Sequence, residues 1–319
     1  MKRFRIKNKY FKIFLKVAIS LVFLVWVAYK TDWADFMYYL RIIKFWQLGA
    51  YVAVLIIGMG ISSYKWKMLA DYKKIDLPHW EFFKLYLAGT FINNFMPSFV
   101  AGDAYKAYEI AGPEKKYSEA ASTVMMDRIT GLVGAMILAL SFSLLNIKTV
   151  IEHNILIWIN ILIILSLSFD IVITQLKKIT RLREWVFGML PEKIICFLRD
   201  LYSYNNNSNV ILKSIGLSFL FSVVGIAFLN YILFLSLGIK IGVIDYLSVI
   251  FLISIISSLP ISINNIGLKE WSYITFFGIF GLSSGAVIAA SIISRFLQMV
   301  VSFAALPIYL KSQNGIRRT

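Results

Sequence analysis

The sequence predicts an all-α polytopic membrane protein with about six full spans and two re-entrant helical hairpins arranged as an inverted repeat. Three observations carry this expectation. Hydrophobic residues make up 59% of the 319 residues and charged ones only 16%, where soluble proteins carry about 25% charged. Apolar runs of roughly 20 residues, long enough to cross a bilayer, follow one another from Phe11 to Leu310. Two apolar segments are broken by proline, glycine and asparagine in matching patterns. A secreted, disordered or cytosolic globular protein is excluded. A single integral membrane domain over 1–319 remains.

The first span is expected at about Phe11–Tyr29, preceded by Lys2, Arg3, Arg5, Lys7 and Lys9. Its basic start, with no small-residue cleavage site after it, reads as an uncleaved span rather than a removed signal peptide. The second span is about Phe45–Tyr64, with Trp46 and Trp66 as interfacial anchors. A basic loop, Lys65–His79, is expected next. The apolar stretch Trp80–Val100 carries Gly89, Asn93, Asn94, Pro97 and Ser98, and a polar stretch follows to Ser118. Together, residues 80–118 read as the first re-entrant hairpin. Spans resume at about Ala120–Leu145 and Ile155–Gln175. Residues 176–209 form a basic stretch with Trp185, Phe187, Leu190 and Phe197 among its charges, the pattern of a helix lying in the interface. The run Asn205–Asn209 reads as the linker between two halves, 1–204 and 210–319. The second half opens with a span at Leu212–Leu237. A second re-entrant hairpin is expected over 243–282, broken at Pro260–Glu270, and the last span at about Ala286–Leu310.

Charge sets the orientation. There are 33 Lys+Arg against 17 Asp+Glu, a formal +16. Such a balance attracts nucleic acid when a soluble domain carries it, but none remains here, so no nucleic-acid partner is expected. Basic residues instead collect in cytoplasmic loops. If Trp80–Val100 re-enters without crossing, one side holds about 23 of the 33 basic residues. If it crosses, the basic 176–209 stretch moves outside. The re-entrant reading puts both termini in the cytoplasm, in a multi-pass cell-membrane protein. Re-entrant backbone is tolerated only where it is buried in protein or lines a wet cavity. Cys196, alone, excludes an internal disulfide framework, and His79 with His153 lack ligand spacing. No metal and no cofactor are expected.

The two broken segments resemble each other. The first reads Pro97-Ser98, Gly102-Asp103, Ala120-Ala121-Ser122 and Asp127-Arg128. The second reads Pro260-Ile261, Gly267 and Glu270, Ala289-Ala290-Ser291 and Ser294-Arg295. By the parity of the spans they enter from opposite sides. Inverted repeats with broken segments at matching positions point to a transporter with its site at mid-membrane.

Arg128 and Arg295 fall inside spans, where an ionisable side chain costs roughly 2.5–3.5 kcal/mol and normally faces a partner or a wet cavity. Two readings stand open. The arginines pair internally, with Asp103, Asp127 or Glu270 as partners, or they clamp a phosphate bidentately. Asn93, Asn94, Asn264 and Asn265 flank the breaks, where they cap half-helices facing an anion or satisfy freed backbone. Lys106, Lys84 and Lys269 are either further phosphate contacts or snorkelling interfacial charges.

At these residues the chain resembles the flippase-like, lysylphosphatidylglycerol-synthase transmembrane family. The resemblance lies in Phe95–Glu109, Ser118–Ser122 and Asp127-Arg128-Ile129-Thr130-Gly131, then in Pro260, Gly267-Leu268-Lys269-Glu270. The family pattern is a proline, a Gly-Gly-Asp with a basic residue three on, and an Asp-Arg-x-x-Gly. Ala101 departs from it at the first glycine, and Lys106 stands where arginine is commoner. The resemblance implies re-entrant hairpins in inverted repeats and movement of lipids or lipid-linked sugars between leaflets. Bifunctional members carry a soluble aminoacyl-transferase domain after the membrane part. With the sequence ending at Thr319, aminoacyl transfer is not expected, and no phosphate-binding loop is present.

The functional expectation is therefore transbilayer movement of a phospholipid or polyprenyl-phosphate-linked lipid, without enzymatic chemistry. The headgroup phosphate is expected to meet Arg128, Arg295, Lys106, Asn93, Asn94, Asn264 and Asn265. Asp103, Asp127, Glu270, Lys269, Pro97, Pro260, Gly102 and Gly267 are expected to shape or gate the site. The expected partners are an anionic or phosphate-bearing membrane lipid and the bilayer, with a second copy or an envelope-synthesis protein as further candidates. Two rivals remain: a polyprenyl-phosphate-dependent glycosyltransferase using Asp32 and Asp35, although Thr31-Asp32 also reads as a helix cap, and an accessory subunit of an envelope-synthesis complex.

Overall fold

In a computed structural model the described residues are 17–95, 100–112, 116–176 and 191–308. Among them the chain forms helices and no strand. In order these are α1 (Val17–Lys30), α2 (Trp33–Ile42), α3 (Phe45–Tyr72), α4 (His79–Phe95) and α5 (Ala101–Ala111). Next come α6 (Tyr117–Leu145), α7 (Ile147–Glu152), α8 (Asn154–Leu176) and α9 (Glu192–Ser203). Then α10 (Ser208–Ser236), α11 (Val243–Ser258), α12 (Leu268–Gly278) and α13 (Ser284–Ser302) follow, the last continuing as one apolar helix to Ile308.

Four of these helices are long and apolar enough to cross a membrane: Trp46–Tyr72 within α3, then α6, α10 and Ser284–Ile308. A fifth candidate is the pair α1 and α2, bent by 84°. The expected count of about six is thus reached only in part. In α8 the segment Asn154–Ser168 is apolar but shorter, and residues 11–16 of the expected first span lie outside the described residues.

At the sharp bend Asp32 caps α2, accepting from the amides of Ala34 and Asp35 at 3.0 Å each. The amide of Asp32 in turn donates to Ser284 Oγ at 3.0 Å, which ties this corner to the start of α13.

Both broken segments fold back on themselves. On α4 and α5, Asn93 meets Gly102, and Tyr86 meets Lys106. Rising numbers on one helix meet falling numbers on the other, so the helices are antiparallel. On α11 and α12, Tyr246 stacks on Phe277, their centroids 5.9 Å apart, while Ser254 and Ser258 share a cavity with Lys269. This pair too is antiparallel. At 11 residues each, α5 and α12 are about 16 Å long, half of a bilayer's apolar thickness. Pro97 lies outside the described residues. Pro260 stands in the turn after α11, before the 3₁₀ turn Ile263–Asn265.

The core sits around α11, whose residues Tyr246, Val249, Ile250, Phe251, Leu252 and Ile253 are all buried. A helix apolar on every side is one enclosed by others. It packs along α6, where Phe142 stacks on Phe251 at 5.7 Å. On the other side α10 loosens into a π-helical stretch, Ser222–Phe228.

Two expectations near the ends of spans are corrected. The stretch after Tyr64 is no loop: α3 continues to Tyr72, and Lys65 and Trp66 are buried. Trp66 is accordingly no interfacial anchor. It packs edge-on against Phe82 at 4.8 Å and donates to Thr123 Oγ1 at 3.0 Å. The run Asn205–Asn209 is no free linker. It is one 3₁₀ turn after α9 (Tyr204–Asn206) and the cap of α10, with Tyr204 fully buried and donating to the Leu69 carbonyl at 2.8 Å, and Asn207 capping Val210. The helix α9 packs on α6; Trp185, Phe187 and Leu190 lie outside the described residues.

Candidate functional site

Each broken segment is locked to the long helix that follows it by the same device. In the first, Asp103 is the third residue of α5 and pairs with Arg128 on α6. In the second, Glu270 is the third residue of α12 and pairs with Arg295 on α13 at 3.1 Å. Carboxylate and arginine are 25 residues apart in both halves. A carboxylate in the first turn is also favoured by the positive end of the helix dipole.

The two locks are finished differently. Asp103 takes a second cation, Lys106 one turn along α5, at 3.0 Å. The Lys106 ammonium also lies over the rings of Tyr86 and Trp66, at 5.0 and 5.2 Å. Asn93 accepts from the Gly102 amide at 2.8 Å, satisfying an orphan donor at the start of α5. At the start of α12 Glu270 itself does this, accepting from the Gly267 amide at 2.8 Å, while Ser291 donates to its other oxygen. Arg295 then reaches the carbonyls of Asn264 and Asn265, at 3.0 and 3.3 Å. These two asparagines adopt left-handed φ of 46° and 57° and Gly267 one of 81°, a conformation that asparagine tolerates and glycine adopts freely. The turn thus aims its carbonyls at the guanidinium.

Between the two broken segments lies a cavity of about 410 Å³. Its apolar wall includes Leu55, Met59, Phe221 and Ile250. Its polar wall brings together Asn93 and Asn94 of α4, Asn264 and Asn265 of the second break, and Lys269 and Arg295. Gly58, at the middle of α3, and Phe221, near the middle of α10, line it, which sets the cavity at about the half-height of these helices. The two breaks touch here, with Asn264 donating to the Asn94 carbonyl at 3.4 Å and Asn94 to Ser302 at 2.9 Å.

Of the residues expected to meet a headgroup, Asn93, Asn94, Asn264, Asn265 and Arg295 therefore converge. Arg128 and Lys106 do not line the cavity. They gather around Asp103, with Tyr86 standing between Lys106 and the cavity. Asp127, an expected partner for Arg128, instead pairs with Lys65 at 3.0 Å. Lys84 pairs with Glu81 one turn away.

Sequence reasoning missed Lys65, Tyr51, Asn230, Tyr273 and Gln298. Lys65 donates to the Asp127 carbonyl at 2.8 Å and to Ser218 at 3.1 Å. The signal for it was helical periodicity: Trp66, Leu69 and Ala70 continue the apolar face through the lysines. Tyr51 and Gln298 converge on Ser294 at 3.0 and 3.1 Å, and Tyr273 donates to Asn230 at 3.1 Å.

Residues 13–305 match the family described as the lysylphosphatidylglycerol synthase TM region. No curated protein and no solved structure matches the chain. The chain belongs to that family, and with its apolar helices it is a multi-pass membrane protein whose surroundings are lipid.

Proposed function

We propose that this member of the family moves a phospholipid or polyprenyl-phosphate-linked lipid between leaflets, binding its headgroup between two inverted repeats and performing no covalent chemistry. The observation that carries this reading is the cavity at mid-height, lined from both broken segments by four asparagines and two cations. In a bilayer such a wall favours a polar, phosphate-bearing headgroup, while the acyl or prenyl tails remain in lipid. Cavities of about 300–1,000 Å³ suit small ligands, and about 410 Å³ is headgroup-sized. Substrates of transporters with broken helices bind at such places, and access alternates by rocking one repeat against the other.

The recurring carboxylate–arginine lock, 25 residues apart in each half, supports the repeat. The inverted sense rests on the distribution of basic residues, which also supports cytoplasmic termini, and in this reading the membrane is the cell membrane. In this reading Arg295 holds the turn whose asparagines frame the phosphate, and Arg128 with Lys106 forms the cationic approach on the far side of Tyr86.

The test is reconstitution of the full chain in vesicles containing a fluorescent phospholipid or a polyprenyl-phosphate sugar. The expected result is faster loss of leaflet asymmetry than in empty vesicles for at least one of them. Equal rates for both, with and without protein, overturn the proposal.

A further inference from the structure

Among the described residues most cations inside the helix bundle have a carboxylate partner. Lys65 has Asp127, Lys106 and Arg128 share Asp103, and Arg295 has Glu270. Lys269 lines the same cavity as Arg295, yet among the described residues no carboxylate lies within ion-pair distance of it. Its ammonium donates to the neutral Ser294 hydroxyl at 3.1 Å and lies 5.6 Å from the centre of the Tyr273 ring. Arg295 cannot serve as a second unmatched charge, because Glu270 and two carbonyls already occupy its guanidinium. Among the described residues no Asp or Glu lines the cavity. Glu270, its neighbour in the chain, attracts Lys269 from beyond ion-pair distance but is engaged by Arg295. Two cations thus share one carboxylate, and one charge is in excess. Ionisable residues inside a membrane domain mark substrate sites.

A second observation bears on the same cavity. Asn265 Oδ1 and Ser257 Oγ are buried without a hydrogen-bond partner among the described residues, and both residues line the cavity. Buried polar atoms are normally satisfied. An amide oxygen accepts only, so its missing partner is a donor.

From the surplus charge and the unpartnered acceptor together we infer that Lys269 is the specificity-determining contact for a net-anionic headgroup that also carries hydroxyl donors. This rests on the lipid-moving reading for its lipid tails but not for its anion. The headgroup phosphate supplies the counter-ion of Lys269, and a headgroup hydroxyl donates to Asn265 Oδ1. A zwitterionic choline head brings its own cation to Lys269 and no donor to Asn265. The site therefore discriminates by charge and by hydroxyl content, and Arg295 holds the turn in shape rather than reading the ligand.

The experiment uses the full chain in detergent, titrated with phosphatidylglycerol, phosphatidylcholine and soluble glycerol 3-phosphate, with thermal unfolding as the readout. The variants Lys269→Gln and Lys269→Arg are compared with the native chain. The native protein is expected to be stabilised by phosphatidylglycerol at concentrations at least about tenfold lower than by phosphatidylcholine, the worth of one charge-assisted hydrogen bond. Lys269→Gln is expected to abolish the difference and Lys269→Arg to keep it. Equal stabilisation of the native chain by the two lipids overturns the inference, and so does an undiminished preference in Lys269→Gln. Should glycerol 3-phosphate act alone in a Lys269-dependent way, the anion site stands and the lipid reading falls. Conversely, vesicles that flip both lipids equally, unaffected by Lys269→Gln, leave the lipid reading standing and overturn this one.

Discussion

Gly102 lies so close to Gly89 that a Cβ on Gly102 would fall 2.1 Å from the Gly89 carbonyl oxygen and 2.8 Å from the Asn93 side chain. The antiparallel helices α4 and α5 approach at backbone distance there, as small residues allow in membranes. Both obstacles belong to α4, and one is backbone, which cannot swing aside. Gly102→Ala is expected to lower stability by about 3 kcal/mol, the upper range for overpacking. Gly60→Ala, on α3 with nothing among the described residues within 4 Å of the added methyl, is the control and should leave stability unchanged or slightly raised. Thermal unfolding of both variants in detergent decides. An unaltered midpoint for Gly102→Ala would mean that α4 and α5 are not in contact.

The Glu270–Arg295 lock makes a second prediction. Glu270 is buried while the Arg295 side chain is about a third exposed (32%), so the pair is worth less than a wholly buried one. Glu270→Gln keeps the hydrogen bond to the Gly267 amide but leaves Arg295 without its counter-charge. A loss of about 2 kcal/mol is expected. With Arg295→Gln added, a double-mutant cycle should return a coupling of about 1 kcal/mol or more. Additive losses would show that the two side chains act independently.

Much of this architecture was legible in the sequence because its carriers are local. Apolar runs fix where helices lie, Thr31-Asp32 fixes the start of α2, and the Pro260–Glu270 run marks a turn through its asparagines and glycine. The pairing of Arg128 with Asp103 and of Arg295 with Glu270 was one of two open readings, since a guanidinium suits a carboxylate and a phosphate alike. What was not legible is long-range. Lys65 and Asp127 are 62 residues apart, and Lys65 sits in a cluster of positive residues that reads as a cytoplasmic loop. Periodicity through Trp66, Leu69 and Ala70 says that the helix continues, but nothing local names the carboxylate that Lys65 meets inside the protein. The same holds for Tyr204, buried in what composition reads as a polar linker.

The glycosyltransferase reading is tested at Asp32 and Asp35. Asp32 caps α2, and Asp35 accepts from the Ser283 hydroxyl at the start of α13, so both carboxylates already have structural work. Asparagine is as good a cap as aspartate. The double variant Asp32→Asn, Asp35→Asn is therefore expected to stay within about 0.5 kcal/mol of the native stability. Its rate of lipid movement in vesicles should equal that of the native chain. A well-folded double variant with no activity would favour carboxylate chemistry at the start of α2.

The Lys65–Asp127 pair gives the sharpest separation between a charge kept for stability and one kept for a ligand. Both side chains are more than nine-tenths buried, and Lys65 is held on three sides by the Asp127 carboxylate, the Asp127 carbonyl and Ser218. Removing one partner strands the other charge, at a cost of about 3–5 kcal/mol, whereas replacing both with apolar residues of similar volume is often neutral. Lys65→Met alone is expected to show the full loss, and Lys65→Met with Asp127→Leu to recover most of it, returning to within about 1 kcal/mol of the native chain. Lys269→Gln behaves in the opposite way if its charge awaits a ligand. Glu270 keeps Arg295 as its partner, so no carboxylate is stranded, and the variant should be as stable as the native chain or more so because the repulsion between the Lys269 and Arg295 charges disappears. Unfolding of the three variants without added lipid measures all of this in one series. A Lys269→Gln variant that loses as much stability as Lys65→Met would assign both lysines to the scaffold.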